Sequence, residues 1–145
     1  KDYDRENLWN KDLKEAQKLA DDDNHIIRLG FIPTDDLVAL YNRATVFVMP
    51  SVYEGFGLPV IEAMQSGCPV VTTRGGSLEE VAGDAAYFVD GYDINSIANG
   101  ITQVFHSSTL QKELSRKGFD QSKKFSWKKT ADETVHVYKK VLTNK

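Results

Sequence analysis

Two glutamates around a glycine-containing turn are the strongest candidates for chemistry in this chain. Glu54 and Glu62 lie eight positions apart in the stretch PSVYEGFGLPVIEAMQSG, with two glycines and a proline between them. The first half of the stretch predicts a turn, and the second half predicts a helix. A helix N-terminus presents unpaired amides and partial positive charge, so it is suited to binding a phosphate.

The residue types in this stretch favour a ligand that carries both phosphate and hydroxyl groups. Gly55 and Gly57 have no Cβ, so a sugar or a phosphate can approach the backbone closely. Carboxylates repel phosphate but accept hydrogen bonds from hydroxyls, and Glu54 can also stabilise positive charge at an anomeric carbon. Glu62 is suited to ribose hydroxyls, as acidic residues are in other nucleotide-binding α/β folds. From these residues alone, a sugar-nucleotide site and an ordinary charged turn both remain open.

Strand and helix patterns alternate on both sides of this motif. Short apolar runs predict strands at 26–29, 46–49, 69–73 and 86–89. Apolar spacing, caps and breakers predict a helix at 7–21, a second helix that Thr34 caps, and a third that follows the glycine turn and ends at about Ser66. Further helices are predicted at 78–82, 94–106, 109–124 and 127–142. Ser77 and Glu80 form a capping-box pattern for the helix at 78–82.

This alternation predicts an α/β fold, a Rossmann-like parallel sheet with helices on both faces that ends in C-terminal helices. The strands, as continuous apolar runs, are expected to be buried on both faces. Ligands of such sheets bind beyond the carboxyl ends of the strands. The loops after Leu29, Met49 and Thr73 are therefore expected along the ligand-binding edge.

A family resemblance adds to this reading. The stretch PSVYEGFGLPVIEAMQSGCPVVTTRGGSLEEVAGDAAYFV resembles the signature of the retaining glycosyltransferases of family 4, which have the GT-B fold. Glu54 and Glu62 match the family's E-x7-E motif in the context EGFGLPVIEA. The upstream LGFIPTDDLVALYNRATVFVMPS and the downstream FSW are also similar, so the resemblance covers nearly all of the chain from Ile26 onward.

The resemblance implies a transferase that moves a hexose, mannose or glucose, from a GDP- or UDP-linked donor to an acceptor hydroxyl with retention of configuration. The acceptor would be a carbohydrate or a lipid-linked glycan in polysaccharide or glycoconjugate synthesis. Glu54 would lie at the reaction centre as the catalytic residue, and Glu62 would hold the ribose. The resemblance assigns the other donor contacts to the backbone of Gly55, Phe56, Gly57 and Leu58 at the sugar and phosphates, and of Phe31 and Ile32 at the base.

The family enzyme has two Rossmann-like domains, and residues 1–145 resemble most of the second, nucleotide-sugar-binding one. Its first strands, its diphosphate-binding Arg and Lys, and the acceptor domain would come from elsewhere, so Arg28 and Arg74 receive no such role. We therefore expect residues 1–145 alone to be inactive. The family needs no cofactor and no bound metal, and the three histidines, His25, His106 and His136, are scattered along the chain.

Composition and charge limit which partners and which cellular compartment are expected. The net charge of −3 argues against a nucleic-acid partner, and the lone cysteine, Cys68, is interpreted as a packed residue of a protein in a reducing, cytoplasmic compartment. Residues 116–145 carry nine Lys/Arg against three Asp/Glu. This basic segment either contacts an anionic membrane surface peripherally, at its inner face, or forms the solvated faces of terminal helices.

Three alternatives to a transferase remain. One is a GT-B-fold epimerase of sugar nucleotides, which the intact E-x7-E context disfavours. Another is a non-catalytic sugar-nucleotide-binding module, and the third is an interaction domain. Among transferases, the segment SLEEVAGDAA favours GDP-mannose as the donor.

Overall fold

A computed structural model of the chain describes the backbone of residues 5–143 and the side chains of residues 13–143. The chain divides between Pro33 and Thr34 into two compact units. The first unit contains helix α1 (Arg5–Asp22) and an irregular segment that continues to the boundary. The helix predicted at 7–21 is therefore confirmed.

The strand predicted at 26–29 is wrong, because this segment has no strand in the structure. The amide of Ile26 donates to the carbonyl of Asp23 at 3.0 Å in a turn, and Ile27 exposes 77% of its surface. An apolar run becomes a strand only when its backbone groups pair with a neighbouring strand. The three strands of the described residues pair with one another, and all three belong to the second unit.

The second unit is an α/β unit in which helices and short strands alternate. Its elements are α2 (Thr34–Arg43), β1 (Phe47–Met49), α3 (Leu58–Gln65), β2 (Val70–Thr72), α4 (Leu78–Ala82), β3 (Ala86–Phe88), α5 (Ile94–His106), α6 (Ser108–Ser122) and α7 (Trp127–Thr143). The predicted helices and the three remaining strands all occur, so the predicted fold class is confirmed. Gly67, with φ of 73°, follows α3 at the predicted end of that helix.

The three strands form a parallel sheet in the order β1-β2-β3. Phe47 pairs with Val70, and Val70 pairs in turn with Ala86. The central strand β2 is fully buried, as expected for a strand covered on both faces. Strand β1 was expected to be equally buried, but its residues are half-buried. Among the described residues β1 pairs along one edge only, so fewer neighbours cover it.

Two apolar clusters lie on opposite faces of the sheet, because successive strand residues point to opposite sides. On one face Val70 packs with α2, α3 and α4 through Tyr41, Met64 and Leu78. On the other face Val71 packs with the facing sides of α5 and α6. The sheet is thus sandwiched between helices, and the carboxyl ends of its strands point to one common edge.

Candidate functional site

Loops that follow β1, β2 and β3 contact one another at the carboxyl edge of the sheet. The hydroxyl of Thr73 donates to the carbonyl of Ser51, which joins the first loop to the second. A Cβ added at Gly91 in the third loop would lie 2.9 Å from Cγ1 of Val52 in the first. The prediction that the loops after Met49 and Thr73 share one edge is therefore confirmed.

Two consecutive glycines let the second loop lie directly against the first. A Cβ added at Gly75 would lie 2.3 Å from the carbonyl oxygen of Val52, and one added at Gly76 would lie 2.3 Å from that of Glu54. Real Cβ atoms do not approach a backbone oxygen so closely. Gly76 also has φ of 60°, in the left-handed region that favours glycine. The contact between these loops thus requires the two glycines of RGGS.

Glu54 is half-buried, and its backbone is held by Ser77. The carbonyl oxygen of Glu54 accepts the amide of Ser77 at 3.1 Å and the Ser77 hydroxyl at 3.2 Å. The capping box predicted for Ser77 and Glu80 is therefore wrong, because the hydroxyl that was expected to cap α4 donates to Glu54 and makes no capping bond. Residues 23 positions apart are joined by this contact, which local sequence cannot reveal.

The turn between Glu54 and α3 uses its two glycines differently. Gly57 has φ of 96° and forms the N-cap of α3, and a Cβ there would lie 2.7 Å from Cδ2 of the buried Leu78. Among the described residues, nothing lies within 4 Å of a Cβ added at Gly55, whose φ is not in the left-handed region. Packing within the chain therefore explains the glycine at 57 but not the one at 55.

Helix α3 begins without a side-chain cap, and Pro59 lies in its first turn. Proline has no amide hydrogen, which suits a helical position whose amide would lack an intrahelical partner. Within the described part of the chain, the amides of Gly55, Phe56 and Leu58 donate to no protein atom. The N-terminus of α3 thus offers free amides and the positive end of the helix dipole to an anion.

Glu62 lies on the exposed side of α3 and contacts a buried tyrosine. The hydroxyl of Tyr41, a residue only 8% exposed, donates to Oε2 of Glu62 at 3.5 Å. Burial, followed by the negative charge of Glu62, raises the pKa of Tyr41 above its ordinary value. The bond between Tyr41 and Glu62 joins residues 21 positions apart, so the local sequence pattern does not reveal it.

A cleft of about 240 Å³ separates this part of α3 from the start of α7. Phe56, Leu58 and Glu62 line one side, and Phe125 and Trp127 of the FSW motif line the other. The rings of Phe56 and Phe125 meet edge to face with centroids 5.8 Å apart. The predicted donor-binding turn and the FSW motif are therefore brought together by the fold.

A second cleft, of about 410 Å³, lies beyond β2 and β3. Its lining includes Arg74, whose guanidinium stacks over the ring of Phe88 at 4.1 Å and pairs with Glu79. Tyr92, which is 86% exposed, lines the same cleft. These residues lie next to the loops that hold Glu54, because Val52 and Gly75 belong to the same lining.

Two of the predicted base contacts belong to a different unit of the chain from Glu54 and Glu62. Phe31 and Ile32 belong to the first unit, and Phe31 is 94% exposed there. Across the residues that the structure describes, no three His, Cys, Asp or Glu side chains form a group that could hold a metal ion. Within the same residues, every helix is too short or too polar to cross a membrane.

Most of this chain is similar in sequence to known proteins. A family described as "Glycosyl transferases group 1" matches residues 7–121. The O-antigen chain mannosyltransferase B of Escherichia coli is 42% identical over 111 residues, which are 77% of this chain and 29% of that protein. The MMP alpha-(1->4)-mannosyltransferase of Mycolicibacterium hassiacum is 37% identical over 112 residues, 74% of this chain and 27% of that protein. The chain thus spans under a third of the length of these relatives.

Two solved structures have a fold similar to that of this chain. A sucrose-phosphate synthase from Thermosynechococcus elongatus matches 84% of this chain and 32% of its own, with a TM-score of 0.76 and 28% identity. The C-terminal domain of a glycosyl transferase group 1 family protein from Francisella tularensis matches 83% of this chain and 64% of its own, with a TM-score of 0.66 and 31% identity.

Proposed function

Because this chain belongs to the group 1 glycosyl transferases, and its structure matches GT-B enzymes, we propose that residues 1–145 form the nucleotide-sugar-binding part of a retaining hexosyltransferase of family 4. The hexose is mannose, carried by GDP, and the acceptor is a glycan hydroxyl. Two relatives named as mannosyltransferases support the choice of mannose. The acceptor-binding domain and the cations that neutralise the diphosphate come from outside these residues.

The observation that carries the proposal is the pair of carboxylates on either side of a turn with free amides. Glu54 lies on a loop whose backbone accepts a hydrogen bond from Ser77. Open space surrounds Gly55, and helix α3 begins three residues after it without a side-chain cap. In the proposed complex the diphosphate contacts the turn amides, the sugar lies against Glu54, and Glu62 accepts from ribose hydroxyls. Each contact matches the chemistry of its group.

In the transfer step, the acceptor hydroxyl oxygen forms a bond to the anomeric carbon of the donor. The bond between that carbon and the diphosphate oxygen breaks, and GDP leaves with the electron pair. The hydroxyl proton passes to the departing diphosphate. Glu54 stabilises the positive charge that develops on the sugar ring during this exchange, so its contribution is larger in the transition state than in the ground state.

The proposal includes the cellular location of the enzyme. It is cytoplasmic, and the basic segment at 116–145 contacts the inner face of an anionic membrane, where lipid-linked acceptors are found. Helix α7 has no buried side chain in the part that the structure describes. Lys128 and Lys129 pair with Asp132 and Glu133 of the same helix, so Lys139 and Lys140 near its end are the charges proposed for such contact.

The test compares Glu54→Gln and Glu62→Gln in the full-length enzyme that contains this chain. We expect Glu54→Gln to lower kcat by about a hundredfold or more, as loss of a transition-state contact does, with GDP-mannose affinity changed little. We expect Glu62→Gln to weaken GDP-mannose binding about tenfold, because a neutral amide is a poorer acceptor than a carboxylate. Calorimetry with GDP-mannose gives the affinity, and GDP release in the presence of the source cell's glycolipid fraction gives turnover.

Glu80→Gln is the matched control, since it makes the same change at an exposed position of α4. It should leave both quantities unchanged. Binding of GDP-mannose without turnover in any form would support a non-catalytic module instead, and interconversion of sugar nucleotides would support an epimerase. Failure to bind GDP-mannose, UDP-glucose, GDP or UDP would support an interaction domain.

A further inference from the structure

The segment 72–77, TTRGGS, contacts the end of β1 and the loop that carries Glu54 at several points. The hydroxyl of Thr72 donates to the carbonyl of Met49 at 2.8 Å, and the hydroxyl of Thr73 donates to that of Ser51. Both threonines are buried. Each hydroxyl therefore satisfies a backbone carbonyl where the chain leaves β1.

The contact continues to Glu54 itself through the glycines and Ser77. Gly75 and Gly76 allow the close backbone approach described above, and Thr73 accepts the amide of Gly75 at 3.1 Å, which holds the glycine pair in place. Ser77 then donates twice to the Glu54 carbonyl. One peptide group thus receives two hydrogen bonds from one residue, directly before the turn with free amides.

We infer that Ser77 is a positioning residue for Glu54. We also infer that Gly76, which has no Cβ, lets the Glu54 peptide lie close enough to be held there. Glu54 lies in an irregular loop, where neither helix nor strand hydrogen bonds fix its backbone. The two bonds from Ser77 supply that restraint, so the side chain of Glu54 leaves the backbone from a fixed point. Catalytic groups lose much of their effect when they are displaced by about an ångström. This inference rests on the proposed catalytic role of Glu54.

The hydroxyl of Ser77 can be removed without removing its amide. In Ser77→Ala the amide bond to Glu54 remains and the hydroxyl bond is lost, so we expect Glu54 to be held less tightly while the loop stays in place. We expect kcat to fall about tenfold, the equivalent of one hydrogen bond, with GDP-mannose affinity within about twofold of the wild type. Ser77→Thr keeps the hydroxyl and should restore kcat to within about threefold.

Ser122→Ala is the matched control. Its hydroxyl also donates to a backbone carbonyl, that of Phe119 at 2.9 Å, but within α6. A merely structural role for Ser77 predicts that both alanine variants lower the unfolding temperature and leave kcat unchanged. The positioning role predicts a lower kcat for Ser77→Ala alone. Wild-type kcat in Ser77→Ala, or no recovery in Ser77→Thr, would overturn the inference.

Gly76→Ala gives an independent second test if Ser77→Ala does not fold. The added methyl group must push the Glu54 peptide away, so kcat should fall at least tenfold while GDP still binds. Full activity in a folded Gly76→Ala enzyme would contradict the inference. Glu54→Gln separates this outcome from failure of the proposed function. If Glu54→Gln is fully active, the catalytic role of Glu54 is wrong, whereas an inactive Glu54→Gln with active Ser77→Ala and Gly76→Ala refutes only the positioning role.

Discussion

At the scale of single residues, each glycine of the EGFG turn has a different reason to be there. Gly57 has a positive φ and packs against Leu78, so the fold requires it. Gly55 has neither feature, and the space beside it is open. A ligand that approaches the backbone is a sufficient reason for a glycine at such a position.

Alanine at these two positions should therefore separate stability from binding. We expect Gly57→Ala to lower the free energy of unfolding by about 2 kcal/mol or more, since it adds left-handed strain and a clash with Leu78. We expect Gly55→Ala to change the free energy of unfolding by less than about 0.5 kcal/mol, as at an unconstrained surface position. Its GDP-mannose affinity should nevertheless fall at least tenfold. Urea unfolding and calorimetry measure the two effects, and wild-type affinity in Gly55→Ala would show that the ligand does not approach there.

At the scale of elements, helix α5 packs so closely on the sheet that a glycine is needed at the point of contact. A Cβ added at the buried Gly100 of α5 would lie 2.3 Å from Cγ1 of Val89, which follows β3. The glycine therefore lets α5 approach the sheet. From the sequence of α5 alone, Gly100 would be expected to destabilise the protein, because glycine is among the poorest residues in a helix interior.

Gly100→Ala distinguishes helix propensity from packing. Propensity alone predicts a gain of about 1 kcal/mol in the free energy of unfolding. Overpacking predicts a loss of about 1–3 kcal/mol, and we expect the loss, because a buried interface cannot absorb the added methyl group without moving α5. Urea unfolding measures the sign. Ala98→Gly at an exposed position of the same helix is the control, and its expected cost of about 0.5–1 kcal/mol reports propensity without packing.

At the scale of the whole molecule, the two groups buried beneath α3 make the fold sensitive to alkaline pH. Burial raises the pKa of the Cys68 thiol, and burial with the nearby charge of Glu62 raises that of Tyr41. Both groups are neutral when protonated, and the folded state holds that proton more tightly than the unfolded chain does. Their stabilising contribution is complete below the unfolded pKa and is lost as pH rises through the folded pKa.

The free energy of unfolding should therefore decrease above about pH 8.5, where the thiol of an unfolded chain begins to ionise. Cys68→Ala should show a shallower decrease than the wild type between about pH 8 and 9.5, below the range in which Tyr41 contributes. Urea unfolding under reducing conditions at each pH gives both curves. Parallel curves for the two proteins would show that Cys68 has no part in the pH dependence.

Local sequence patterns predicted most of the elements correctly. The apolar runs of β1, β2 and β3 and the periodicity of the helices are properties of contiguous residues, and they predicted an α/β unit whose loops after Met49 and Thr73 share one edge of the sheet. The run at 26–29 has the same pattern but forms no strand, because strand formation depends on a partner edge that a run of residues cannot specify.

The sequence by itself determined the type of most elements, their alternation and the membership in a glycosyl transferase family, since these follow from local spacing and from the EGFGLPVIEA motif. The tertiary structure alone decided which groups meet. Ser77 donates to Glu54 instead of capping α4, and Tyr41 reaches Glu62 from another helix. The physical reason is that hydrogen bonds between distant residues depend on how sheet and helices pack, and that packing has no signature in any single stretch of the chain.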